Sequence, residues 1–153
     1  MGRGVLLAWA VWVWMAVPAW GQPLRGLEPP GVTAAEVPAA LARRGLTEEA
    51  LARAVREEME AAGIRTGTGA GPGLVARVWA TELRGAGMFA CAVELALEEE
   101  VGLARGGASR AATWRRTAVL AQMSGRAPDA VLRTVRDLAR AFANEYRAAN
   151  PER

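Results

Sequence analysis

The chain has 153 residues, a formal net charge of +3 and no histidine; all 19 of its basic residues are arginines, and its one cysteine is Cys91. Without histidine it lacks the usual general base near neutral pH and the commonest metal ligand. A lone cysteine allows no internal disulfide. Although the pI is about 10.3, arginines alternate with glutamates instead of forming a basic patch, which argues against nucleic acid as a partner.

MGRGVLLAWAVWVWMAVPAWGQ opens the chain. One arginine precedes a short apolar run, Pro18 interrupts it, and Ala19 and Gly21 are small residues at the positions a signal peptidase reads. Residues 1–21 therefore read as a signal peptide, and the protein is expected to be periplasmic or secreted. The rival is an uncleaved anchor, favoured by Trp9, Trp12, Trp14 and Trp20; membrane contact is expected only through that segment. Cleavage leaves a chain of single-domain length. Residues 22–31, rich in proline and glycine, are expected to be a flexible tether. A single domain is expected over 32–151.

Within it, Val32–Val37 reads as a weak first strand, limited by Pro38 to an edge. Thr47 is an N-cap candidate, with Glu48 and Glu49 in the favourable first turn. Leu51, Val55, Met59 and Ala62 recur at helical spacing, and Gly63 suits a left-handed cap, so a helix is predicted over 48–62. TGTGAGPG, residues 66–73, matches no phosphate loop because the chain has no lysine; a flexible connector is expected. Residues 74–81 alternate as a strand. Residues 83–87 form a turn.

MFACAVELALEEEVGLAR, residues 88–105, admits two readings. Phe89, Val93, Leu97 and Val101 fit a helix. Period two, however, places Phe89, Cys91, Val93, Leu95, Leu97, Val101 and Leu103 on one face, which explains more of the large residues, so a strand is predicted. Glu99 on that face marks a bulge or the sheet margin. Residues 111–123 read as a third long strand, with Trp114, Ala118 and Leu120 on one face. Pro128 and Asp129 start a final helix, about 129–148, whose stripe is Val131, Val135, Leu138, Phe142 and Tyr146.

The fold class expected is α+β: an antiparallel sheet of three long strands plus a weak first strand, covered on one face by two amphipathic helices. The succession LTEEALARAVREEMEAAGI, LVARVWA, a long strand, an ATW-bearing strand and VRDLARAFANEYRAANP resembles small exported bacterial proteins. Its plan is similar to the envelope domains of the amino-terminal TolB and CsgG-like type, over about residues 32–151. The resemblance implies an envelope location and a binding or assembly role, and it carries over no catalytic residue.

No catalytic, metal or cofactor site is expected. Glu94 and Glu98 share the outer face of their strand, and paired carboxylates can divide acid and base roles. The plainer reading is cross-strand pairing with Arg77, Arg115 and Arg116. Cys91 reads as a small buried hydrophobe. Trp79 lies off the core face of its strand, where tryptophan is a frequent interface anchor. The function expected is a non-enzymatic accessory module that binds or helps assemble another envelope protein. The alternatives are a carrier of a small apolar or anionic ligand, with Arg77, Arg115 or Arg116 as counter-charge, and, less favoured, a carboxylate-based enzyme.

Overall fold

Thr47 stands in extended backbone and its hydroxyl accepts a hydrogen bond from the Ala50 N–H at 3.1 Å, so the helix that follows starts where its first free N–H groups find an acceptor. At its far end Gly63 has φ +75°, the Gly63 N–H donates to the Glu60 carbonyl, and the Ile64 N–H donates to that of Met59. This double closure needs a left-handed residue, and it folds buried Ile64 back onto the last turn.

The structure is a computed structural model and describes residues 24–67, 71–83 and 85–151. The segment read as a signal peptide lies outside the described residues. In chain order the elements are β1 (Gly31–Ala34), α1 (Ala39–Ala42), α2 (Glu48–Ala61), β2 (Gly73–Leu83), β3 (Met88–Gly102), β4 (Ala108–Met123) and α3 (Ala127–Ala149), the last preceded by a 3-10 turn at Ser124–Arg126. The protein is α+β.

The four strands form one sheet in the order β1-β2-β3-β4. The three long strands pair antiparallel, as expected. β1 does not: it runs parallel to β2, with Val32 opposite Leu74, so the sheet is mixed. Parallel neighbours need a long crossover, and α1 and α2 supply it. Of the two readings of 88–105, the strand holds, over Met88–Gly102. Its core face runs through Phe89, Cys91, Val93, Leu95 and Leu97, all buried; Leu103 falls beyond β3 and is half-exposed.

The expected irregularity near Glu99 is present, but its extra residue sits on the neighbouring strand. Leu97 faces Trp114 while Glu98 faces Ala112, which leaves Thr113 unpaired in the ladder; its hydroxyl donates instead to the Glu99 carboxylate. Such a bulge adds local twist.

α2 packs on β1, β2 and α3, and α3 packs on β3 and β4. Both helices lie on one face of the sheet. Between them and the sheet Leu51, Val55, Met59, Leu74, Val93, Leu95, Val131 and Phe142 are fully buried. Trp114 meets Phe142 edge to face, with ring centroids 4.9 Å apart, a favoured aromatic geometry.

Residues 24–30 correct the expectation of a flexible tether. Leu24 and Pro30 are buried. Asn150 at the end of α3 accepts from the Gly26 N–H at 2.7 Å and donates to the Leu24 carbonyl at 2.6 Å, and Tyr146 Oη donates to the Leu27 carbonyl at 3.0 Å. The stretch is therefore strapped to the last helix. Part of the glycine-rich connector is fixed as well. The Gly67 N–H donates to the Pro30 carbonyl at 2.9 Å, and a Cβ at Gly67 would stand 2.5 Å from the Pro29 carbonyl oxygen.

Candidate interaction face

Strand alternation sends the odd-numbered residues of β2 and the even-numbered residues of β3 away from the helices. The registers then lay out the helix-free face in rows. Leu83, Met88 and Met123 form one row; Thr81, Ala90 and Ala121 the next; then Trp79, Ala92 and Val119; then Arg77, Glu94 and Thr117. Glu98 and Glu100 follow beyond them.

The face is thus split along the strands. At the end where β2 turns into β3, it is apolar. Trp79 is 51% exposed, Leu83 40%, Val119 80% and Met123 52%. These four are the exposed large hydrophobics among the described residues, and all stand on this one face. Trp79 and Leu83 rise from β2, Val119 and Met123 from β4, and between them β3 offers only Ala90 and Ala92 above Met88. Large side chains on the flanking strands and alanines in the middle leave a shallow depression of about 220 Å³, lined by Trp79, Thr81, Ala90, Ala92 and Val119.

The other half is charged and internally paired. Arg77 donates to Glu94 at 3.3 Å and to Glu98. Arg115 Nε lies 3.8 Å from the second Glu94 oxygen. The hydrogen bond to Glu98, aided by the charges of Glu98 and Glu94, raises the pKa of Arg77, so it stays a cation under all ordinary conditions. Glu94 and Glu98, the two carboxylates considered for acid–base work, therefore share one guanidinium.

Arg116 departs from the expected cluster. Alternation turns it to the helix side, where it meets Glu145 at 2.5 Å. The same carboxylate accepts the Trp114 Nε1–H at 2.7 Å. Of the six residues singled out from sequence, the fold brings together Arg77, Glu94, Glu98 and Arg115, places Trp79 one row away, and separates Arg116. Arg77 and Arg115 face outward and not into the space between sheet and helices. Leu83, Val119 and Met123 were not singled out. Their signal is the uncharged outer face at the end of β4, visible once β4 is aligned with β3.

Cys91 is buried on the core side of β3, and burial pushes its thiol pKa up. A second concavity of about 650 Å³ opens at the carboxy-terminal ends of α2 and α3, lined by Pro29, Ile64, Arg65, Tyr146, Arg147 and Asn150. Among the described residues no three metal-ligating side chains cluster, and no helix is long and apolar enough to cross a membrane. The chain matches no family model, no curated protein and no solved structure.

Proposed function

We propose that the protein is an exported interaction module of the cell envelope, and that its binding surface is the helix-free face of the sheet. One observation carries this reading: Trp79, Leu83, Val119 and Met123 are all exposed, and all on that face, around a floor of alanines. Scattered single hydrophobics are normal on a protein surface, whereas a contiguous apolar patch bordered by polar residues is characteristic of a binding site. The arginine–glutamate lattice beside it supplies a polar rim, and Trp79 is the natural anchor.

The reading is tested in the producing cell with a photo-crosslinking amino acid in place of Leu83, which is exposed on the same face but on β2. A discrete adduct with one envelope protein is expected, together with its absence when the probe replaces Asp137, which is exposed on α3. Equal labelling from both positions would overturn the reading.

A further inference from the structure

We infer that the outer edge of β4 is a self-association site, at which a second copy of this chain adds antiparallel about a twofold axis beside Leu120. This goes beyond the proposed binding face, because it concerns the strand's backbone edge. β4 is the last strand of the sheet and 16 residues long. The phase of its ladder is set where the Ser124 N–H donates to the Gly87 carbonyl at 2.9 Å. In an antiparallel ladder the residues that bond to the neighbour alternate with those that do not. Residues 118, 120, 122 and 124 thus bond to β3, and Thr117, Val119, Ala121 and Met123 direct their backbone groups away from it. The Met123 N–H fits this phase, since it donates to the side-chain oxygen of adjacent Gln122 at 2.9 Å.

The stretch TAVLAQM, residues 117–123, contains no charge and no proline. Natural edge strands are commonly blunted by one or the other. It is also self-complementary in the required phase. With the axis beside Leu120, Val119 stands opposite the partner's Ala121 and Thr117 opposite the partner's Met123, so outward-pointing backbone groups meet outward-pointing groups. Half-buried Leu120 meets its own copy on the helix side. Arg110, Arg115 and Arg116 fall outside the paired span, so within residues 117–123 no like charges oppose each other.

The opposite edge cannot propagate the pairing. β1 has four residues, with Pro29 and Pro30 before it and Pro38 after it. Association therefore closes at two copies. A seven-residue ladder buries well under the roughly 800 Å² per partner of a standard stable interface, so the dimer is reversible and concentration-dependent.

The test is analytical ultracentrifugation of protein expressed from the full chain, from micromolar to near-millimolar concentration. The mass is expected to rise from one copy to two and stop there. Val119→Lys, at a position already open to solvent, is expected to weaken the association about tenfold or more while leaving the melting temperature in place. Because Cys91 stands opposite Leu120 in the β3–β4 register, Leu120→Cys is made together with Cys91→Ala, and this variant is expected to give a disulfide-linked dimer on oxidation with diamide. Trp79→Ala, on β2, is expected to leave the self-association unchanged, which separates this site from the binding face. A single-copy mass at every concentration would overturn the inference, as would dimers that tolerate Val119→Lys or fail to cross-link through Leu120→Cys.

Discussion

Trp79 keeps half its surface in water, although an indole is among the side chains that gain most from burial. Its neighbours Ala92 and Val119 cannot cover it. Little folding energy rests on such a side chain, so Trp79→Ala is expected to change stability by no more than about 0.5 kcal/mol. A thermal melt checks this, and a large fall would mean that the indole packs inside the fold. Cys91 is the opposite case. The thiolate is the reactive form, and burial raises the thiol's pKa, so at mildly alkaline pH less thiolate exists than on a free cysteine. Reaction with a disulfide reagent is expected to be slow in the native protein and fast after unfolding; rapid native labelling would contradict the buried position. Both residues were legible from strand alternation alone, because period two assigns a side chain to a face before any contact is known. Arg116 was not. It was grouped with Arg115 by adjacency in sequence, and adjacency on a strand means opposite faces.

At the scale of elements, the helices were the most legible. Their caps and apolar spacings are local signals, and α2 ends within one residue of its predicted boundary. Thr47→Ala removes the hydroxyl that accepts the Ala50 N–H and is expected to cost about 1 kcal/mol, read as a shift of the urea midpoint with unchanged slope. Phe142 on α3 is fully buried against Trp114. Phe142→Ala is expected to cost about 3–5 kcal/mol, and a loss under about 1 kcal/mol would show that α3 is not seated on the sheet as described. β1 shows where local reading stops. Four residues carry almost no periodicity, and their direction is set by the crossover that follows, not by their own sequence. Strand, helix, strand is the pattern of a parallel pair, and it was present in the order of elements. The short helix α1 was missed for a related reason: four residues after Pro38 give no helical period. The strap of 24–30 onto Asn150 and Tyr146 was invisible because it joins the two ends of the domain, and proline-rich composition reads the same whether a segment is docked or free.

For the molecule as a whole, both amphipathic helices cover one face of the sheet and leave the other to solvent. That face was expected to be a wet lattice of glutamate and arginine, and half of it is: Arg77, Glu94, Glu98 and Arg115 are joined there. The apolar half required the register between β3 and β4, since only alignment shows that Val119 and Met123 stand beside Trp79 and Leu83. The face thus carries an exposed apolar half beside an internally paired polar half. The account's central claim is that this face holds a partner. The measurement that tests it most directly is capture from envelope extract with two baits, the tagged protein and its Trp79→Ala variant, after both are shown to melt alike. The account predicts one protein retained in near-stoichiometric amount by the first bait and lost from the second. Equal retention by both baits would contradict it.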